Sequence, residues 1–94
     1  MIYEILVSPG AQRDLLRLSE FLAESAPQAA IQASEVVSAA ILSLSEMPQR
    51  GMPGRLPGTR QIVVRFGQGG YVIRYRVEPG RVVVVRIFHA REDR

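Results

Sequence analysis

The chain has 94 residues and a mass of 10.4 kDa, a length that suits one domain with a modest hydrophobic core. Hydrophobic residues make up 47% and charged residues 22%, which is typical of globular proteins and disfavours intrinsic disorder. The absence of cysteine and the single histidine, His89, exclude a disulfide scaffold and a zinc site built from thiolates or several imidazoles within one chain. We expect one domain over residues 1–94, with no metal and no cofactor.

The charge is unevenly distributed along the chain. All twelve cationic residues are arginine, which a GC-rich genome could explain, but composition alone does not explain their positions. Residues 1–49 hold two arginines and six carboxylates, a net charge of −4, whereas residues 50–94 hold ten arginines and three carboxylates, a net charge of +7. This asymmetry predicts an anionic partner for the second half.

No targeting signal is visible and the longest aliphatic run, Val82–Val85, is too short to span a bilayer, so we expect a cytoplasmic protein without membrane contact.

The first half predicts a strand followed by a helical hairpin. Residues 2–7 are typical of a short strand, and Ser8-Pro9 is a helix start in which serine caps and proline occupies the first helical position. Apolar residues recur at helical spacing up to about Ser25, Pro27 begins a second helix, and Pro48 ends it. The very short joint predicts that the two helices are antiparallel.

The second half predicts a loop and three strands. Residues 47–58 hold three prolines and three glycines, which indicates a loop, and strand-like runs follow at 59–66, 71–78 and 81–89. The turns 67–70 and 79–80 are short, so the three strands form an antiparallel meander, and residues 90–94 form a polar, frayed tail. The fold class is therefore α+β with order β-α-α-β-β-β, the hairpin covering one face of an antiparallel sheet. Val82–Val85 marks a central strand, beside which the first strand pairs in an undetermined direction.

Alternation along the strands assigns the residues to two faces. The more apolar set faces the helices: Ile62, Val64, Phe66, Tyr71, Ile73, Tyr75, Val77, Val83, Val85 and Ile87. The opposite face then carries Val63, Arg65, Val72, Arg74, Arg76, Val82, Val84, Arg86 and Phe88. Arginine stems covering a solvent-facing sheet are one interpretation. An apolar area this large among arginines also predicts a bound partner, and an amphipathic, acidic peptide would suit both residue types.

Catalytic chemistry has few candidates in this sequence. The glycines at 67–70 are explained by a turn, and no serine lies in a nucleophile-elbow context. The remaining candidates are His89 as a general base, with Arg91 and Arg60 as cations that could stabilise a phosphate. A strand-end histidine bonded to the backbone is the alternative interpretation of His89.

Three segments in order resemble the RelE/ParE superfamily of toxins from bacterial type II toxin–antitoxin pairs, and most closely its ParE arm. The strand-to-helix entry Ser8–Leu15 is similar to that of the family, as is Pro48–Gly51 followed by Gly58-Thr59-Arg60. The C-terminal signature is Tyr71–Val77, then Val82–Val85 and Phe88–Arg91. The resemblance covers nearly the whole chain and implies a RelE/ParE-like α+β fold.

The resemblance also implies a function. ParE-like members inhibit DNA gyrase and are neutralised by a ParD-like antitoxin, whose acidic C-terminal segment would here meet Arg65, Arg74, Arg76, Val82, Val84, Arg86 and Phe88. RelE-like members are ribosome-dependent mRNA interferases, and that alternative would use Arg60, His89 and Arg91. The nuclease pattern has an arginine directly after Tyr71, where this chain has Val72, and often a lysine in the preceding loop, where this chain has none. We therefore expect a ParE-like inhibitor without direct DNA binding of its own, and a non-toxic binding module remains a third possibility.

Overall fold

A computed structural model describes residues 2–67 and 69–92. Gln68 of the predicted turn and Asp93 and Arg94 of the predicted tail lie outside the described residues. The elements are β1 (Glu4–Val7), α1 (Pro9–Ser25), α2 (Pro27–Ser43), β2 (Met52–Pro53), β3 (Thr59–Phe66), β4 (Gly69–Glu78) and β5 (Arg81–His89). The predicted order is confirmed, with one addition: the predicted loop 47–58 contains the two-residue strand β2.

The helical hairpin begins and ends at the predicted signals. The Ser8 hydroxyl accepts a hydrogen bond from the Ala11 N–H at 3.1 Å, and proline follows it at the first helical position. Ala26 alone separates the helices, and its N–H donates to the Leu22 carbonyl at 2.7 Å. The second helix ends at Ser43, earlier than the predicted end at Pro48, because residues 44–46 continue as a turn.

The sheet has five strands in the order β1-β5-β4-β3-β2. Strands β2 to β5 pair antiparallel, as short connections require, whereas β1 pairs parallel with β5. The sheet is therefore mixed. Strands β1 and β5 are separated in sequence by the helical hairpin and strands β2 to β4, so no short turn forces them to be antiparallel. The predicted pairing of β1 beside a central β5 is confirmed.

The hydrophobic core lies between the hairpin and one face of the sheet. The fully buried side chains at its centre are Leu44, Ile73, Tyr75, Val82, Val84 and Ile87. The helices contribute small and aliphatic residues at helical spacing, including Ala11, Ala33 and Val37.

Within residues 2–67 and 69–92, no helix is long and apolar enough to cross a membrane.

Buried polar groups attach the loop after α2 to the sheet. The Tyr75 hydroxyl is inside the core, where it donates to the Pro48 carbonyl at 2.7 Å and accepts from the Gly51 N–H at 3.0 Å. Gly51 packs so closely that an added Cβ would lie 2.6 Å from the Tyr75 hydroxyl oxygen. These bonds satisfy a phenol that would otherwise be buried without a partner.

Candidate functional site

A β-bulge in β5 changes which valines face the core. Arg74 pairs with Arg86 and the next residue, Tyr75, pairs with Val84, so Val85 is an extra residue in β5. If side chains alternated strictly from Ile87 back along β5, Val82 and Val84 would point away from the helices. The extra residue reverses this, so both point toward the helices. The predicted placement of Val82 and Val84 on the face away from the helices is wrong, because both are 0% exposed and belong to the core.

The remaining pairs define the face of the sheet that points away from the helices, here called the open face. The register places on it Thr59, Gln61, Val63, Arg65, Val72, Arg74, Arg76, Glu78, Arg81, Val83, Arg86 and Phe88. Val83 was predicted to point inward with Val85, and the bulge reverses that assignment as well. Val72, Arg74 and Phe88 are buried and form the floor of this face, whereas Val63 and Arg65 are exposed along β3.

Arg74 is the most unusual residue of the open face. Its side chain is on a solvent-facing surface, yet the residue is only 7% exposed. The guanidinium carbon lies 5.2 Å from the centre of the Phe88 ring, a cation–π contact, and the buried Nε atom has no hydrogen-bond partner among residues 2–67 and 69–92.

The other arginines of this region differ in what they already bind. Arg65 has no ion pair with any residue in the described part of the chain, and it lies opposite Gly70. Arg76 donates to Glu78 at 2.8 Å, and Arg81 donates to the same carboxylate at 2.7 Å. The hydrogen bonds from Arg81 and then Arg76 lower the pKa of Glu78. Arg65 is thus available for a new ion pair, while Arg76 would share its charge with Glu78.

Arg86 was predicted to lie on the open face and to pair with antitoxin carboxylates, and the register does place it opposite Arg74, but its guanidinium already binds a carboxylate of this chain. Its Nε donates to the Asp14 carboxylate of α1 at 2.8 Å and its Nη2 donates to the other oxygen at 3.2 Å. Asp14 also accepts the Ile87 N–H at 2.9 Å. Burial alone would raise the pKa of Asp14, but the hydrogen bonds from Arg86 and Ile87 outweigh it and lower that pKa. This pair joins α1 to the part of β5 that extends past β1.

The three nuclease candidates do not form one cluster. Arg60 of β3 pairs with Tyr75 of β4, whereas His89 of β5 pairs with Tyr71 of β4, four residues earlier in that strand. Arg60 and His89 therefore lie in the two strands that flank β4. At about 3.3 Å per residue and about 4.8 Å per strand, Arg60 and His89 lie roughly 16 Å apart. The Arg60 guanidinium donates to the carbonyls of Gln49 at 3.0 Å and Gly51 at 2.6 Å, which fastens the loop before β2.

His89 and Arg91 do lie together, but their contact goes through the backbone. The Arg91 N–H donates to His89 Nδ1 at 3.1 Å, which matches the alternative of a strand-end histidine bonded to the main chain. The His89 ring makes an edge contact with Tyr71 at 5.6 Å between ring centres. His89 Nε2 faces Gly69 so closely that a Cβ there would lie 2.9 Å from it. These contacts explain a glycine at position 69.

A cleft that the sequence analysis did not predict lies beside His89. It has a volume of about 730 Å³ between the second half of α1 and the ends of β3 and β5. Phe21 lines this cleft and is 72% exposed. Arg17 and Glu92 also line it and form an ion pair at 3.0 Å. A lone phenylalanine on the charged side of α1 was the sequence signal for this surface.

The described part of the predicted tail, residues 90–92, is held by the ion pair between Arg17 and Glu92 and by the Glu92 carboxylate, which accepts the His89 N–H.

Comparisons with known proteins agree with the class that the fold defines, the small α+β toxins of the RelE/ParE superfamily. A solved structure described as a chromosomal ParDE toxin–antitoxin system from P. aeruginosa superposes with a TM-score of 0.83 over 94% of this chain and 96% of that chain, at 18% identity. The toxin–antitoxin complex RelBE2 from Mycobacterium tuberculosis gives a TM-score of 0.64 at 30% identity, over 95% of this chain and 99% of that chain.

The sequence matches are equally extensive. Toxin RelE1 of Caulobacter vibrioides is 45% identical over 94 residues, 100% of each chain, and Toxin RelE3 of the same organism is 36% identical over 94% of this chain and 95% of its own. Residues 5–94 match the profile of the family described as the ParE toxin of the type II toxin–antitoxin system parDE. The chain belongs to this ParE toxin family.

Proposed function

We propose that this toxin inhibits DNA gyrase and is neutralised by a ParD-like antitoxin. The match of residues 5–94 to the ParE toxin family is the observation that carries the proposal. The separation of Arg60 from His89 and Arg91 supports it, because ribonuclease chemistry needs a proton acceptor and cations around one phosphate. Binding a protein target requires no such cluster.

The second candidate is a ribosome-dependent mRNA interferase. The names of two relatives favour the interferase, because the relatives at 45% and 36% identity are named RelE toxins. In this candidate, the cleavage site would have to use His89 and Arg91 without Arg60. Arg91 is exposed, so its side chain could still reach a phosphate.

Two assays on the purified toxin separate these candidates. Gyrase supercoiling of relaxed plasmid is measured against toxin concentration, and cleavage of a message is measured in a purified translation system. Our proposal expects lost supercoiling with an intact message. Message cut at the ribosomal A site, with supercoiling retained, would establish the interferase instead. Failure to arrest growth on expression, with neither activity present, would indicate a binding module.

A matched pair of variants strengthens the target assay. Arg91→Ala removes the exposed cation beside His89, and Arg13→Ala removes an exposed cation of α1 as the control. A nuclease that used Arg91 would lose at least about tenfold in cleavage, since a cation at a transferring phosphate contributes several kcal/mol. The control should retain full activity in either assay.

We further propose that the antitoxin places an acidic segment on the open face. Arg65 is exposed, and the Arg74 guanidinium lies against the ring of Phe88, which forms an apolar floor beside it. Such a face suits an acidic, amphipathic segment that folds on binding. Charge reversal of Arg74 and Arg76 should weaken the complex and reduce its dependence on salt, as measured by titration calorimetry at two salt concentrations. An affinity that does not change with salt or with these substitutions would contradict this binding mode.

A further inference from the structure

The chain leaves β5 through a tight turn at residues 89–92, here called the β5 turn. The Glu92 N–H donates to the His89 carbonyl at 2.8 Å, which is the backbone hydrogen bond of a β-turn whose first residue is His89. The Ala90 N–H donates to the Gly70 carbonyl at 2.9 Å and so attaches the turn to the start of β4. Three of the four turn residues line the cleft beside α1, so the turn forms one wall of that cleft.

The His89 side chain has the role in this turn that asparagine or aspartate usually has. Its Nδ1 accepts a hydrogen bond from the Arg91 N–H, two residues further along the chain, at 3.1 Å. Asparagine and aspartate are favoured at the first position of such turns, because their side-chain oxygen accepts this same N–H. An imidazole nitrogen that accepts a hydrogen bond carries no proton, so the neutral ring holds its proton on Nε2.

An imidazole differs from an asparagine side chain in that it titrates at about pH 6.5, and its protonated form has an N–H on both ring nitrogens. The protonated ring of His89 would point an N–H at the Arg91 N–H, and two donors form no hydrogen bond. Turning the ring over does not restore the bond, because a ring C–H then takes the place of Nδ1. Protonation therefore removes the side-chain hydrogen bond of the β5 turn.

The charged and titratable groups around the ring belong to the turn, to α1 and to β4. Within the turn, Arg91 is the donor to the ring, and the Glu92 carboxylate accepts the His89 N–H at 2.8 Å. On α1, Arg17 binds Glu92 at 3.0 Å, and on β4 the Tyr71 ring contacts the imidazole edge-on. Two cations thus face one carboxylate, which Arg17 and the His89 backbone already share. The nearby charges do not replace the hydrogen bond that protonation removes.

We propose that the β5 turn is a pH-sensitive element, which neutral His89 closes and protonated His89 loosens. This inference goes beyond the proposed function and holds for either target of the toxin. It also has a chemical consequence. While the turn is closed, Nδ1 is bonded to the main chain and Nε2 holds the proton, so His89 has no free lone pair with which to act as a general base.

Ring ¹⁵N shifts measured by NMR test the protonation state, and His89 is the only histidine in the sequence. At about pH 8, where imidazole is neutral, long-range ¹⁵N–¹H spectra of the purified toxin should show the proton on Nε2. A proton on Nδ1 would overturn the proposal.

Titration of the same sample tests whether the turn responds. Between about pH 8 and pH 5, the Arg91 amide shift should move with the same midpoint as the His89 ring. The Ala90 amide is bonded to Gly70 instead and serves as the internal reference. An Arg91 amide that stays constant while the ring titrates would contradict the proposal, and this result needs no variant.

Three variants identify the group responsible, each checked for folding by circular dichroism. His89→Asn keeps a side-chain acceptor that does not titrate, so its Arg91 amide should be constant over this pH range. His89→Ala removes the acceptor, and protection of the Arg91 amide from exchange near neutral pH should fall about fivefold, as expected for one hydrogen bond. Glu92→Gln should retain the response of the Arg91 amide. A response that persists in His89→Asn, or disappears in Glu92→Gln, would assign it to Glu92 and refute the role of His89.

Discussion

Asp14 is the residue whose replacement should destabilise this protein most specifically. Its carboxylate accepts two hydrogen bonds from Arg86 and one from the buried Ile87 N–H, and it is 5% exposed. Asp14→Ala removes all three bonds, leaves the Ile87 N–H without a partner and releases Arg86. Because the Arg86 side chain is 38% exposed and can regain water, we discount its share of the loss.

The expected loss can be worked from these contacts. A buried N–H left unsatisfied costs about 1–3 kcal/mol, and a charge-assisted pair that is partly solvated contributes about 1 kcal/mol more. Asp14→Ala should therefore lower the free energy of unfolding by about 2–4 kcal/mol, measured by urea denaturation followed by circular dichroism. For a chain of this length, that corresponds to roughly 10–25 °C in Tm.

Two comparisons make this prediction refutable. Asp14→Asn can still accept the Ile87 N–H but loses the charge, so it should fall between wild type and Asp14→Ala. Glu20→Ala, at an exposed position of the same helix, should change stability by no more than about 0.5 kcal/mol. If Asp14→Ala were as stable as Glu20→Ala, the reasoning that joins α1 to β5 through this carboxylate would be refuted.

The remaining predictions concern pH and two aromatic residues. Because the folded pKa of Asp14 is lowered, its charged form contributes stability above the unfolded value of about 3.9, and this is lost as the pH falls through the folded pKa. Acid titrations of stability should therefore be flatter for Asp14→Ala than for wild type, and parallel curves would contradict this. Tyr75→Phe should cost about 1–3 kcal/mol in urea denaturation, since the Pro48 carbonyl and Gly51 N–H lose their partner. Phe21→Ser, at a residue 72% exposed, should leave Tm within about 3 °C of wild type, and a larger drop would show that Phe21 packs in the fold.

Local sequence signals were sufficient for both helices and for four of the five strands, whereas the two-residue strand β2 lies in the predicted loop. Serine followed by proline placed the start of α1, and proline placed the start of α2, because both signals act through nearby backbone groups. The bounds of β3 and β5 were also predicted, since glycines flank β3 and a proline–glycine turn precedes β5. The parallel direction of β1 was left open, because pairing between residues more than 70 positions apart has no local signal.

The candidate site was only partly predictable. Alternation correctly placed Arg65, Arg74, Arg76 and Phe88 on one face, but a β-bulge leaves no mark in a run of four valines. Strict alternation therefore misplaced Val82 and Val84, which lie in the core. The partner of Arg86 was also missed, because Asp14 is 72 residues away in sequence.

The uneven charge of the chain illustrates the division between sequence and structure. By itself, the sequence determined that the second half is strongly cationic, that two helices precede an antiparallel meander, and that the chain resembles the RelE/ParE toxins. Only the tertiary structure decided what each arginine does. Arg60 holds the loop before β2, Arg86 binds Asp14 of α1, and Arg65 stays exposed on the open face. The physical reason is that composition and periodicity act over a few residues, whereas hydrogen-bond partners are set by distant segments brought together on folding.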